Sequence, residues 1–203
     1  MIPLPGESVV AMSGEGDAIA ERLGARWMVG RSERKLIRAA QGGSETAMEE
    51  LFRLHWPRAQ RAAFLVVHDR AAAEDIAQEA FLAALRALER FDRRRPFGPW
   101  LHRIVVNRAI DHARSRKLRR EVDPGEELAD ERAAPADSAG LSGELVAALR
   151  RLAPEHRAVI VLRYLLDFTP GEIAEALEMP RGTVNSRLRR GLDRLSLVLE
   201  EER

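Results

Sequence analysis

The chain of 203 residues contains no cysteine, which excludes disulfides, thiol nucleophiles and thiolate metal ligands together and agrees with a reducing compartment. Aromatic residues make up only 5% of it, and the alternating Val, Ile and Thr runs of half-buried strands are missing. Ala, Leu, Arg and Glu dominate instead, so the expected fold class is all-α. No stretch approaches the roughly 20 apolar residues of a membrane span, and the first thirty positions lack the cationic lead and apolar run of a signal peptide. A cytoplasmic protein without membrane insertion is expected. There is no Gly-rich phosphate cradle, and His55, His68, His102, His112 and His156 show no pair at metal-ligand spacing. The expectation is no enzyme, no cofactor and no metal.

A net charge of +1 shows little excess of either sign, but the sum conceals the distribution, and local patches are what meet phosphates. Residues 103–120 carry seven cations against Asp111, a local +6, whereas residues 121–141 carry seven acids against Arg132, a local −6. The second stretch also holds Pro124, Pro135 and Gly140 without an apolar stripe, the composition of a flexible acidic linker. Two small helical domains are therefore expected, at 32–120 and 142–203, joined by the linker 121–141. Residues 1–31, with Pro3, Pro5 and several glycines, read as a disordered extension. It is either a regulatory segment or the product of a start codon placed too far upstream.

In the first domain Leu36, Ile37 and Ala40 precede the Gly42-Gly43 break, and Met48, Leu51, Phe52 and His55 mark a core-facing side of the next helix, which Pro57 is expected to kink. Beyond a turn at His68-Asp69-Arg70, Ala77, Phe81, Leu85 and Leu88 form the core stripe of a helix over 72–89. Phe91 to Pro99, with Pro96 and Gly98, reads as a loop, and a basic helix is expected from near Trp100. In the second domain Pro154 opens a helix that places Val159, Leu162 and Leu166 on one side.

Thr169-Pro170-Gly171-Glu172 has the form of a capping box with Pro at the first helical position. The short helix it opens should turn Ile173, Ala174 and Leu177 inward and end near Glu178-Met179, after which Pro180 opens another through about Leu199. Two helices joined by a tight turn make a helix-turn-helix. In the second of them Val184, Leu188, Leu192 and Leu195 form the buried stripe, and a 100° step puts Gly182, Ser186, Arg189 and Arg190 opposite, with Thr183 and Asn185 on the flanks and Arg181 and Arg187 nearer the core edge. An isolated arginine pair is usually a solvated helix face. The capping box, the tight turn and the small, polar and basic outer face together point to DNA.

At this point the sequence resembles the extracytoplasmic-function (ECF) group of bacterial sigma factors. In the first domain the resemblance rests on Ala73-Glu74-Asp75-Ile76-Ala77-Gln78-Glu79-Ala80-Phe81, Phe97-Gly98-Pro99-Trp100-Leu101 and Ile104 through Asp111. In the second it rests on Leu152-Ala153-Pro154-Glu155-His156-Arg157, Leu162-Arg163-Tyr164, Glu172-Ile173-Ala174 and Gly182 through Leu188. It implies a region 2 domain whose Asp75, Gln78 and Glu79 dock on core RNA polymerase, although spacing alone makes Asp75 and Glu79 an ordinary solvated i, i+4 pair. It also implies that the 91–99 loop and the helix after it read the minus-10 promoter element. Asn107 would meet a base edge, and Arg103, Arg108, Arg114 and Arg116 the single-strand backbone. Trp100 falls in this group too, though a lone Trp at a helix start is more often core.

The same resemblance makes the second domain region 4, with Arg181, Thr183, Asn185, Ser186, Arg187 and Arg190 toward the minus-35 element. Asn185 stands where relatives often carry Lys or Arg, and Asn favours adenine where a cation favours guanine or phosphate. Implied partners are core RNA polymerase and promoter DNA, with an anti-sigma factor as a further one that nothing in this chain identifies. The acidic linker could occupy a basic polymerase channel or serve as a solvated spacer. A repressor or activator using its helix-turn-helix without polymerase is the alternative, and it leaves the basic helix and proline-shaped loop of the first domain without a purpose.

Overall fold

The computed structural model describes residues 32–122 and 141–201. These residues form eight α-helices, with no strand among them. The first helix, α1, spans residues 32–41 and stops at Gly42-Gly43, where Gly43 takes φ 87°, a left-handed turn that glycine enters without steric cost. Ser44 then caps α2 (Glu45–Val67), its hydroxyl accepting from the Ala47 N–H at 3.3 Å. Pro57 lies inside α2, and the helix continues through it. At its end His68 turns left-handed and donates its N–H to Phe64 O, and Asp69 caps α3 (Arg70–Ala87) by accepting from Ala72 N at 3.0 Å. A short 3₁₀ turn, Leu88–Arg90, follows, and Gln41 donates to Leu88 O and Phe91 O, tying α1 to the loop ahead.

The basic helix α4 spans Phe97–Val122 and so begins earlier than the expected start near Trp100. Proline lacks an N–H that the first turn does not need, so Gly98 and Pro99 are helical and the loop shrinks to residues 91–96. Small residues on α2 (Ala59, Ala62, Ala63) let α3 and α4 approach closely, and Phe81, Leu88, Leu101, Val105 and Val106 fill the space between them. One expected core position differs. Phe52 is 38% exposed, and its ring lies over Trp56 and Phe81 at 4.7 and 4.8 Å instead of inside the bundle.

In the second set, Ser142 caps α5 (Gly143–Arg150), Pro154 opens α6 (Pro154–Ile160), and α6 runs on into a π-helical turn, Val161–Leu165, closed by Leu166 N–H on Val161 O. The side of this segment expected to be apolar is buried at Val159, Leu162 and Leu166. Helices α7 (Pro170–Ala176) and α8 (Arg181–Glu201) complete the chain. Gly191 lets α8 lie tight on α6, for a Cβ there would stand 3.0 Å from Ile160 Cδ1.

The two sets touch. Buried residues of both join one apolar cluster, and α6 packs on α2 and α4. The expected extension 1–31 lies outside the described residues. So does the linker expected at 121–141, apart from its ends, since α4 reaches Val122 and the description resumes at residue 141.

Candidate nucleic-acid interface

The capping box at α7 forms in full. Glu172 N–H donates to Thr169 Oγ1 at 3.3 Å while Thr169 N–H and hydroxyl both donate to Glu172 Oε2 at 2.7 Å. Those two donors hold the Glu172 carboxyl below the usual carboxylate range. Ile173 and Ala176 are buried beneath α7, with Ala174 and Leu177 packed against the core. The chain then turns through Glu178 at φ 51°, and Pro180 O accepts from Thr183 and Val184, starting α8 at an angle that leaves one face outward.

On that face Arg181, Gly182, Asn185, Arg189 and Arg190 are exposed, with Thr183 half-buried beside them. The buried side holds Val184, Gly191, Leu195 and Val198, with Leu188 packed against the core. Two expected contributors point elsewhere. Ser186 spends its hydroxyl on Thr183 O at 2.9 Å, and Arg187 lies back along the turn with Nη1 3.6 Å from Met179 Sδ. Arg189, outside the set that the resemblance implied, belongs to the exposed surface, as the 100° step already placed it.

In α4 the candidate strand-reading residues fall into two groups. Arg108 donates to Glu79 Oε2 at 2.7 Å and Arg116 to the capping Asp69 at 3.1 Å, so both are tied to α3. Arg103, Asn107 and Arg114 instead meet the second set: Arg103 donates to Glu178 at 3.0 Å, Asn107 Nδ2 to Ala176 O at 3.0 Å, and Arg114 Nε to Glu155 at 3.3 Å. Trp100 is half-buried, with its ring 4.6 Å from Phe91 and 5.5 Å from Phe97, which makes it part of an aromatic cluster at the rim of the core. Asp75, Gln78 and Glu79 are all exposed on α3, and Glu79 faces Arg108 instead of standing as an isolated solvated acid.

Burial and charge shape the flanking groups. His102, only 4% exposed, belongs to the second turn of α4, and burial, with His55 and Arg58 nearby, pushes its ring down to about 3. His68, at the end of α2, is lowered to about 3 by burial and by Arg157 and Arg150. Arg157, about one turn into α6, is itself buried and drawn down to about 10 by desolvation. Burial would raise Glu155, but its own backbone N–H and the Arg114 guanidinium outweigh that and hold it below the usual range. Among the described residues no three His, Asp or Glu side chains form a group that could hold a metal ion, and no helix is long and apolar enough to cross a membrane.

Residues 51–119 match the family model of Sigma-70 region 2, and residues 142–195 that of Sigma-70 region 4. The ECF RNA polymerase sigma factor SigW of Bacillus subtilis is 31% identical over 181 residues, which cover 83% of this chain and 97% of that protein. The solved structure of CnrH in complex with the cytosolic domain of CnrY aligns with a TM-score of 0.61 at 26% identity, over 84% of this chain and 99% of that one. The sigma factor RpoE of Bartonella quintana, solved with the anti-sigma factor NepR, shares the fold at a TM-score of 0.64 and 23% identity, over 76% of this chain and 98% of that one. The helix-turn-helix at α7 and α8, the basic α4 and the two region matches in that order agree with a relative covered almost end to end, and the chain belongs to the ECF RNA polymerase sigma factors.

Proposed function

We propose that this protein docks on core RNA polymerase through the exposed Asp75, Gln78 and Glu79 of α3 and directs it to promoters, α8 reading a minus-35 duplex and α4 a melted minus-10 strand. The observation that carries the reading is the α8 face, where a capped helix and a tight turn present Arg181, Asn185, Arg189 and Arg190 together to solvent. An α-helix fits the major groove, Asn can pair bidentately with adenine, and arginines can take guanine or phosphate. Ser186 and Arg187 shape that face from its edge, and Thr183 lies at its rim.

On α4, Asn107 supplies donor and acceptor for an unstacked base edge, and Arg103 and Arg114 supply cations for the backbone of the exposed strand. Arg108 and Arg116 fix α4 against α3, each guanidinium having further donors that the strand backbone can use, and Trp100 supports the loop at the start of α4. Each DNA contact alone is weak. Holding both on one polymerase turns the second into an intramolecular event and raises avidity without new contacts. Opening the duplex needs no hydrolysis by this chain, because binding energy for the exposed strand shifts the melting equilibrium. The protein works as a non-enzymatic cytoplasmic subunit.

The test has two steps. RNA start sites mapped after overexpression should share elements upstream, and a promoter so found should be transcribed when purified chain is added to purified core polymerase. No RNA, together with no co-elution with core, would sink the reading. Tight, specific duplex binding by the free chain in the absence of both would favour a polymerase-independent regulator.

A further inference from the structure

Helix α1 lies outside residues 51–119, which match the region 2 model, yet it reaches the loop that precedes α4. Ile37 and Ala40 are buried and hold α1 in the bundle, and near its start Glu33 pairs with His55 of α2 at 2.8 Å, both side chains being largely buried. At the other end stands Gln41, the last residue before Gly42-Gly43 turns the chain away. Its amide nitrogen donates to Leu88 O at 2.9 Å and to Phe91 O at 3.0 Å, so each of its two hydrogens has a carbonyl. Two carbonyl neighbours also set the amide with its nitrogen toward them. Leu88 O takes the Phe91 N–H as well, at 3.0 Å, so the 3₁₀ turn closes on itself and Gln41 pins it. Phe91 is thereby fixed from two sides, its carbonyl by Gln41 and its ring by Trp100 at 4.6 Å and Phe97 at 5.7 Å. Phe97, at the other stem of the loop, packs 5.2 Å from the His55 ring that Glu33 holds. Both stems lead back to α1. Between them Asp92 Oδ1 accepts from Arg94 N–H at 3.0 Å and Asp92 O from Arg95 N–H at 2.9 Å, a tight turn that carries the exposed Arg93, Arg94 and Arg95.

We infer that Gln41 is a positioning residue for minus-10 recognition: by pinning the turn and Phe91 it sets where Arg93, Arg94 and Arg95 stand relative to the start of α4. The inference rests on the minus-10 reading proposed above, and Gln41 itself touches no DNA. A loop that must first order before it grips a strand loses affinity by the share of time it spends in other arrangements. Ring packing alone lets Phe91 slide along its neighbours. Two directional bonds to carbonyls three residues apart fix both the place and the rotation of the turn. Each such bond favours the ordered arrangement by about 2- to 13-fold. Methionine has nearly the length of glutamine without its donors, so Gln41→Met keeps the packing and releases the turn. Gln41→Lys restores donors, and a cation suits the C-terminal end of a helix.

Full-length unaltered, Gln41→Met and Gln41→Lys chains test this. In the free chain, amide exchange at Phe91, Arg94 and Arg95 should be at least about 5-fold faster in Gln41→Met, and within about 2-fold of the unaltered rate in Gln41→Lys. Each chain, bound to core polymerase, is then offered a short single strand carrying the minus-10 element of a promoter found by start-site mapping, and the same strand with one base of that element replaced. The ratio of the two affinities is a readout that a mere loss of folded protein would not move. It should fall at least about 5-fold in Gln41→Met and return in Gln41→Lys, with binding of the minus-35 duplex kept within about 2-fold throughout. Unchanged loop exchange in Gln41→Met overturns the inference, as does an affinity ratio that stays put, whether or not both affinities drop. If exchange quickens in Gln41→Met but the unaltered chain on core shows no preference between the strands, the minus-10 reading falls and the positioning role with it, while the clamp on the loop stands.

Discussion

Lowering the pH from 7 to 5 should cost this protein about 2 kcal/mol of stability through His102 alone. The residue is 4% exposed in the second turn of α4, its Nε2 has no hydrogen-bond partner among the described residues, and a second imidazole, His55, stands 6.4 Å away, itself against Glu33 at 2.8 Å. Burial, helped by His55 and Arg58, lowers the ring from 6.5 to about 3. The unfolded chain takes up this proton below pH 6.5 and the folded chain refuses it. The contribution is therefore complete above 6.5, is lost progressively as pH falls, and stops changing below about 3. Between 7 and 5 the unfolded side gains the equivalent of roughly 1.5 pH units at 1.36 kcal/mol each, which gives the magnitude stated. Urea unfolding at pH 7, 6 and 5 measures it, with His102→Leu as reference, because His68 follows the same direction and its share remains in both proteins. The reasoning fails if the His102→Leu protein loses as much stability over that interval as the unaltered one.

Thr169→Ala removes the hydroxyl that caps α7 and should cost about 1 kcal/mol, read as a lower urea midpoint at unchanged slope. Arg190→Ala should weaken binding of the minus-35 duplex across sequences and lower the slope of log affinity against log salt by about 1, as loss of one phosphate contact requires; an unchanged slope would remove Arg190 from the interface. Asn107→Ala should leave duplex docking by the polymerase-bound chain within about 2-fold and cut the fraction of open complexes by about 10-fold, the cost of roughly one base-edge hydrogen bond in a desolvated site. Permanganate footprinting of the melted strand distinguishes the two steps.

Much of this was legible in the sequence where the cause is local. The capping box lies within four residues, and Thr169 and Glu172 satisfy each other wherever the rest of the chain goes. The stripes at Ala77, Phe81 and Leu88 and at Val184 and Leu195 follow from helical period alone. The start of α4 was hidden because Pro96, Gly98 and Pro99 all read as breakers, whereas only Pro96 lies outside the helix and Pro99 sits in the turn where proline is tolerated. Phe52 was misplaced for a different reason. Period names the face a side chain shares, but cannot say whether another helix arrives to cover it. The π turn at Val161–Leu165 depends on a bond from Leu166 to Val161 that no residue type announces. The pairing of Asn107 with Ala176 O joins positions 69 apart, and composition cannot see it.

That last contact bears on the strand-reading role proposed for α4. Asn107, Arg103 and Arg114 offer donors, and a helix-terminal carbonyl, a carboxylate and the oxygen of a base edge or phosphate are all acceptors. A surface built to grip a nucleic-acid strand is, when the strand is absent, a row of cations and an amide facing solvent, and acids on a neighbouring element of the same chain can satisfy it without a dedicated site. The discrimination between the two states then lies in valence and burial, not in fit. Glu178, Glu155 and Asp167 each contribute a single, partly solvated charge, whereas a strand presents a phosphate at every nucleotide and releases counterions as it binds.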